Sequence, residues 1–534
     1  MPRRILTRRT AALALLPAAL LLSGCIHTFW RTIAVPLARP DTGSVYLGTP
    51  IKAHLVDGRT ALFRQGATID HRAIAGPGMM YGLMAPSNAG TAIERVSLDS
   101  VVGVETFEGK ALAAQSIVVS AAATVLTAGA TIALLKAIFG SCPTVYADTG
   151  TGPLLQAEGF SYAIAPLLEQ RDVDPLVTRP DSDGIIRLEL RNEALETHNI
   201  NNIELAEVRH ARGERVMPDQ DDHAVAVASV RAFDEARDRA GNDVRPVLAS
   251  ADGALFSSDV RTVNAARVGD LDDWIDLDAR NLPPGDSIAV VLRLRNSLLN
   301  TVLLYDGMLS GRDSPDWLDT KLQHIGTAID LSKWYTRTMG LRVSVGSIGS
   351  SEATWTGRVG DMGPLAFRDF AMVVPRPSPN AKSLRVRLRF VADDWRIDYA
   401  AVSPHVSRPA TTTIPLQRVL APMQPGGATT TPDTAALSAL READGRYLQT
   451  LPGQRMMLEF DAGRSAQRGD STTSYMIVWQ GWYREWIRGQ WLAQPQRTTP
   501  WVAGDSTVLS ALRRWHANQP EMERAFYSTR VPVR

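Results

Sequence analysis

Short runs that alternate apolar and polar residues recur along this chain, and each predicts a strand. Leu384, Val386, Leu388 and Phe390 alternate with Arg385, Arg387 and Arg389; Ile186, Leu188 and Leu190 alternate with Arg187 and Glu189. A period of two gives one buried and one wet face, as in antiparallel sheets. Val96 to Val102 reads the same way, inside a segment from Ile51 to about Glu105 that Gly76-Pro77-Gly78 punctuates. That texture predicts a small barrel or meander. Pro283-Pro284-Gly285 turns the chain into a further strand, Ile288 to Leu294, and Met456 to Phe460 and Tyr475 to Trp479 are strand-like. Helical spacing is confined to Ala435 to Arg441 and to an amphipathic stretch, Val508 to Trp515.

Ile117 to Leu135 departs from this pattern. It runs 19 residues without a charge before Lys136, long enough to span a bilayer. Ala, Ser, Thr and Gly make up more than half of it, and these contribute little to insertion. Small residues also suit close helix packing. The composition therefore favours a helix packed on protein or lying at an interface, with a membrane-inserted helix or hairpin as the alternative. The expected fold is mainly β and multidomain: β-sandwich-like modules, one apolar helix over 117–135, and a mixed α/β C-terminal region.

The N-terminus carries an address. Arg3, Arg4, Arg8 and Arg9 precede an uncharged apolar run, Ala11 to Leu22, too short to span a membrane. Leu22-Ser23-Gly24-Cys25 follows and resembles the lipobox of bacterial lipoproteins. The resemblance implies that Cys25 becomes the first mature residue and carries lipid on its sulfur. One acyl chain gives only marginal attachment; the several chains implied here would anchor the protein durably. Thr7-Arg8-Arg9 is similar to a twin-arginine signal, but Thr10-Ala11-Ala12 stand where strong hydrophobes belong, which favours the general secretory route. Ile26, in place of the aspartate that marks inner-membrane retention in enteric bacteria, points to the outer membrane, facing the periplasm.

Segment boundaries follow from these textures. Residues 1–24 form the signal peptide, 25–110 a small β domain and 111–140 the apolar helical segment. Residues 141–280 and 281–403 read as a β domain and a β-sandwich-like domain. Residues 404–433, rich in Pro and Thr, read as a linker, and 434–534 as a C-terminal α+β domain. No repeat of fixed period is evident.

Charge narrows the partners. Loss of the leader's four arginines takes Lys+Arg from 57 to 53 against 56 Asp+Glu, a formal charge of −3. That balance offers no basic footprint for nucleic acid. With Cys25 acylated, Cys142 has no partner in the chain and no intrachain disulfide forms.

Several short blocks occur in a fixed order: Ser141-Cys142-Pro143-Thr144-Val145-Tyr146, Glu158-Gly159-Phe160-Ser161, Leu168-Glu169-Gln170-Arg171-Asp172, Arg191-Asn192-Glu193 with Glu196-Thr197, Asp361-Met362-Gly363-Pro364, and Trp395-Arg396-Ile397-Asp398. Together they resemble a group of uncharacterised bacterial envelope lipoproteins over most of residues 90–490. The resemblance implies architecture and location and supplies no chemistry.

Candidate chemistry is sparse. Gly285-Asp286-Ser287, Gly469-Asp470-Ser471 and Gly504-Asp505-Ser506 echo a Gly-Asp-Ser nucleophile block, but turn chemistry explains all three. Cys142 reads as a small buried hydrophobe ahead of a nucleophile. His198, His210 and His223 match no zinc spacing. Asp219, Asp221 and Asp222, and Asp181 with Asp183, supply oxygen ligands without the terminal glutamate of a calcium loop. No metal and no cofactor are expected. Trp479, Trp482, Tyr483, Trp486 and Trp491 crowd beside Arg484 and Arg488 and form a possible ligand or partner surface, with core packing the plainer alternative. The arginines at 385, 387 and 389 could meet anionic lipid or simply face water. The expectation is a lipid-anchored envelope component, more binding or structural than catalytic, with an envelope protein, glycan or lipid as partner. The alternatives are a hydrolase whose site is dispersed in sequence, and a subunit of an export or assembly machine if 117–135 inserts.

Overall fold

The computed structural model describes residues 30–35, 44–48, 51–55, 59–81, 91–109, 142–148, 150, 152–194, 196–309, 311, 313–322, 324–422, 429–463, 471–485 and 504–528. Cys25, the leader, the apolar stretch 117–135, Trp486 and Trp491 lie outside these residues. The chain is mainly β and multidomain, with antiparallel sheets throughout and a C-terminal helix. No helix among the described residues is long and apolar enough to cross a membrane.

Residues 30–109 form one eight-stranded antiparallel sheet. Ile51, Ala53, Leu55, Ala61, Phe63, Ile74 and Val96 fill its core. Gly78 is required there, since a Cβ would stand 2.7 Å from the Phe63 ring.

A ten-stranded unit follows, built from two distant parts of the chain. Thr144–Asp148, Pro153–Glu158, Gln170–Leu176, Ile185–Arg191 and Glu196–Ala211 pair among strands that include Thr411–Pro422, Arg455–Asp461 and Ser471–Glu485. The central strand Thr411–Pro422 joins its two halves. Its first residues pair with Glu196–Ala211, and those after Pro415 pair with Arg455–Asp461, with a bulge between Leu416 and Arg418. A bulge beside a proline is where a sheet can bend. Ile186, Leu188, Ile203, Leu205, Leu458, Phe460 and Ile477 from both halves share one core. The helix Thr434–Leu440, capped by Asp433 accepting from Ala436 N–H at 2.9 Å, buries Ala436 and Leu440 in that core.

Between the neighbouring strands Glu196–Ala211 and Thr411–Pro422 a whole further unit is inserted. It is a sandwich of a four-stranded and a five-stranded sheet, with a three-stranded sheet on the far side of the first. Ser287–Asn296 shows why that middle sheet reads as an unbroken apolar run. Ile288, Val290, Leu292 and Leu294 face the main sandwich core, while Ala289 and Val291 face the three-stranded cover. A strand buried on both faces loses its alternation. On the outer face of the five-stranded sheet, Arg385 and Arg387 grip Asp278 and Asp276 by two bonds each, and Arg389 pairs with Asp272 at 2.6 Å. Arginines that looked like a basic face are thus neutralised across the strand pair.

Three expected boundaries are corrected. Position 281 cuts the sandwich, because Asp272–Ala279 pairs with Leu384–Val391. Residues 404–433 are no linker: their threonines are β-branched and supply His405–Ser407, Thr411–Pro422 and Thr429–Pro432. The segment from 434 is no separate domain, since its strands complete the ten-stranded unit and its terminal helix docks elsewhere.

Residues 299–338, inside the segment expected to be β, form short helices with widened π-type turns over Leu303–Met308 and Trp317–Lys321, then a helix over Ile325–Thr338. The terminal helix Asp505–Ser528 lies on them, burying Val508, Leu512, Trp515, Met522 and Phe526 against Leu299, Val302 and Leu303. Trp515 Nε1 donates to Asp393 at 2.6 Å.

Candidate functional site

The blocks that stand out in sequence meet where the inserted sandwich touches the ten-stranded unit. Glu158, at the end of Pro153–Glu158, accepts from the backbone of Leu365 at 2.8 Å and Ala366 at 2.9 Å. Gly363 must be glycine here, because a Cβ would fall 2.3 Å from the Glu158 carboxyl carbon. Arg368 reaches back from the sandwich to Asp174 at 3.2 Å and Asp222 at 3.1 Å, and lies 3.9 Å from Asp172. Phe160 donates its N–H to Asp172 and sets its ring edge-on to Trp479, 5.3 Å between centroids.

This seam is crowded with acids. Burial pushes Asp172 up to about 7 and its neighbour Asp174 upward as well, with Arg368 opposing both. Glu193 is satisfied by the hydroxyls of Thr144 and Tyr146, each at 2.8 Å. Glu196 is driven far up, by burial first and then by Glu485 and Glu158. It sits 3.4 Å from His198, whose imidazole burial pushes down to about 3. Burial thus disfavours the charged form of both partners of that contact.

Beside the seam lies a cavity of about 340 Å³, within the range of small-molecule sites. Leu304, Met308, Trp317, Leu322, Leu331 and Met339 from the helical segment make its walls. Its polar end gathers Tyr162, Asn300, Trp334, Tyr335 and Asp361. Asp361 is held by the Tyr335 hydroxyl and by Asn296 Nδ2 at 3.1 Å, and burial raises its carboxyl. Asn296 also reaches Asp394, whose carboxyl is forced far up by burial and then by Asp361. Hydrogen-bonding groups of the lining that are buried without a partner among the described residues include the Tyr162 hydroxyl and Trp334 Nε1. Such groups cost about 1–3 kcal/mol each when left unpaired. The backbone at Tyr162 is in the left-handed region, φ 70°, as is Phe160 at 40°. Bulky residues seldom adopt that conformation, and functional sites are where it concentrates.

The residues singled out from sequence fare unevenly. Trp479 is fully buried and donates to Asp174 at 3.1 Å; Tyr483 is buried with its hydroxyl 3.2 Å from that of Tyr305. Neither is a surface residue: Trp479 packs in the core of the ten-stranded unit, and Tyr483 in the core that the terminal helix covers. Trp482 is half-buried, packed against the same core as Trp479 and edge-on to Tyr447. Among the described residues the expected aromatic surface is thus core packing. Cys142 is buried, and its thiol is raised by burial, then by Glu196 and Glu158, with Ser161 and Tyr483 beside it. No nucleophile follows from such a thiol. The Gly-Asp-Ser blocks mark element starts: Ser287 and Ser471 open strands and Asp505 opens the terminal helix. Asp219, Asp221 and His223 bring ligand atoms within 4.8 Å of one another. However, Asp219 already accepts two backbone N–H groups and pairs with Arg408 at 2.9 Å, which makes it a turn and an ion pair. Asp181 likewise closes a turn through the N–H groups of Asp183 and Ile185.

Sequence reasoning missed Tyr162, Trp334 and Asp361 as members of one site. Asp361 lay in a recognised block; nothing in the spacing tied it to residues some 200 positions earlier.

No family model matches this chain, and no curated protein matches it. Solved structures give only faint likeness. A GH31 alpha-xylosidase from Xanthomonas citri is 6% identical, with 82% of this chain and 38% of that one covered and a TM-score of 0.15. A mutant VP2 protein of infectious bursal disease virus is 9% identical over 94% and 91%, TM-score 0.12. The secreted serine protease VesC from Vibrio cholerae is 8% identical over 72% and 97%, TM-score 0.11. Superpositions this poor carry neither fold nor function.

Proposed function

We propose that this chain is a lipid-anchored, non-catalytic binding component of the bacterial cell envelope, held by acylated Cys25 at the outer membrane and facing the periplasm. It belongs, on this reading, with the uncharacterised envelope lipoproteins that its sequence blocks resemble. The observation that carries the binding role is the cavity beside Asp361, apolar along its walls and lined at one end by buried groups without partners. A raised, buried thiol at Cys142 and serines at element starts supply no nucleophile. The formal charge of −3 after loss of the leader argues against nucleic acid. The partner is an envelope molecule: protein, glycan or lipid.

Mass analysis of the mature N-terminal peptide tests the anchor. A lipid-bearing Cys25 and a Cys25→Ala form released from membranes are expected; an unmodified thiol at that position removes the anchor. A hydrolase is the second reading, favoured by the raised Asp361 and Asp394 carboxyls that share Asn296. Turnover of an ester or glycoside that Asp361→Asn abolishes, with the fold intact, would establish it.

A further inference from the structure

We infer that the cavity beside Asp361 takes an acyl-type ligand: an apolar chain ending in a neutral carbonyl, as in an ester or amide. This rests on reading the cavity as the binding site. The walls exclude a polar ligand, since ten of the lining residues are Leu, Met or Trp. The polar end sets the headgroup. Trp334 Nε1 can only donate, and the Tyr162 hydroxyl is buried with its proton uncommitted among the described residues. Both residues line the cavity, and a group that satisfies the indole N–H must accept a hydrogen bond.

The acceptor's charge follows from its neighbours. Asp361 lines the same end and Asp394 stands behind it through Asn296. An ionised carboxylate would be desolvated beside two further carboxyl groups, and Arg358, which faces Asp361, lies over the Tyr335 ring at 5.1 Å. A cationic amine could bond the Tyr162 oxygen but would leave Trp334 Nε1, which only donates, unpaired. A neutral carbonyl satisfies the donors and leaves Asp361 to its bonds with Tyr335 and Asn296. The tight turn at Phe160 and Tyr162 is what aims the tyrosine inward, with Ala163 N–H bonded to Phe160 C=O at 3.0 Å and Ile164 N–H to Tyr162 C=O at 2.9 Å.

Calorimetric titration of the full purified chain with four ten-carbon probes tests this: methyl decanoate, decanoate, decylamine and decane. Methyl decanoate is expected to bind tightest. Trp334→Phe and Tyr162→Phe should each weaken it by roughly threefold to tenfold, the worth of one neutral hydrogen bond, while leaving decane unchanged. Leu304→Trp, which fills the cavity, should abolish binding of every probe; circular dichroism checks that it folds, and the two milder variants stand if it does not. Equal affinity for decane and the ester, tightest binding of decylamine or decanoate, or no effect of Trp334→Phe overturns the inference. If no probe binds, the acyl assignment falls, while membrane anchoring through Cys25 and capture of an envelope partner are decided by their own measurements.

Discussion

The inserted sandwich and the seam it forms with the ten-stranded unit use charge in opposite ways. In the sandwich, aspartates and arginines on the outer face pair across adjacent strands, over an apolar interior. In the seam, Glu158, Asp172, Asp174, Glu196, Asp361 and Asp394 are buried, and Arg368 answers Asp172 and Asp174 together with Asp222. The first arrangement is locally consistent at every level. The second breaks that consistency, which is where function tends to reside.

Removing the seam's cation should do the most damage. Arg368→Met leaves Asp172, Asp174 and Asp222 without it, and losing one partner of a buried pair costs about 3–5 kcal/mol; urea denaturation should show the midpoint falling accordingly. Next comes the sandwich interior, where Leu388→Ala should cost about 2–5 kcal/mol by the same measurement. A loss under 1 kcal/mol at either position would erase the contrast.

Acid and base should sharpen it further. Asp172 keeps its proton to about 7 in the fold, against an ordinary value of 3.8. Its contribution is whole below about pH 4 and is lost as pH rises toward 7. His198 is displaced the other way, to about 3 from 6.5. Its contribution is present above pH 6.5 and is lost as pH falls toward 3. The two slopes oppose each other between pH 4 and 6.5. Melting curves across that window should therefore tilt in opposite senses: Asp172→Asn removes the loss on the alkaline side, and His198→Gln the loss on the acid side. Variants that leave the profile unchanged would show that neither group titrates differently in the fold.

The smallest effect belongs to the outer face. Arg387 is 41% exposed, and an exposed ion pair is worth about 0–1 kcal/mol. Arg387→Ala should shift the denaturation midpoint by no more than that.

How much of this was readable depends on distance along the chain. Leu384–Val391 and Ile185–Arg191 were legible because a strand with one wet face writes its period into the residues. The mainly β, multidomain character followed. Thr411–Pro422 was misread because Pro and Thr suggest a linker when counted by composition, although Thr is a strand former and Pro415 sits beside a bulge. Trp479, Trp482 and Tyr483 looked like a surface cluster, yet the first two pack on the core of the ten-stranded unit and the third on the core that the terminal helix covers. The helices over residues 299–338 were missed in a segment otherwise dominated by strands, although Leu299, Val302 and Leu303 lie one helical turn apart. The cavity was illegible, since its lining comes from 161–170, 300–339 and 360–361 and no local pattern links the three.

The insertion of one unit between two paired strands has a consequence for biogenesis. A polypeptide that emerges from its N-terminus delivers Glu196–Ala211 long before Ser471–Glu485, the strand it pairs with along its whole length. Residues 215–407 hold all the strands of their own sandwich and can settle as soon as they emerge. The surrounding sheet has to wait, exposed edges and all, for Arg455–Asp461 and Ser471–Glu485, which makes it the slow and aggregation-prone step. A holdase acting on that interval would see this protein as a finished centre inside an unfinished frame.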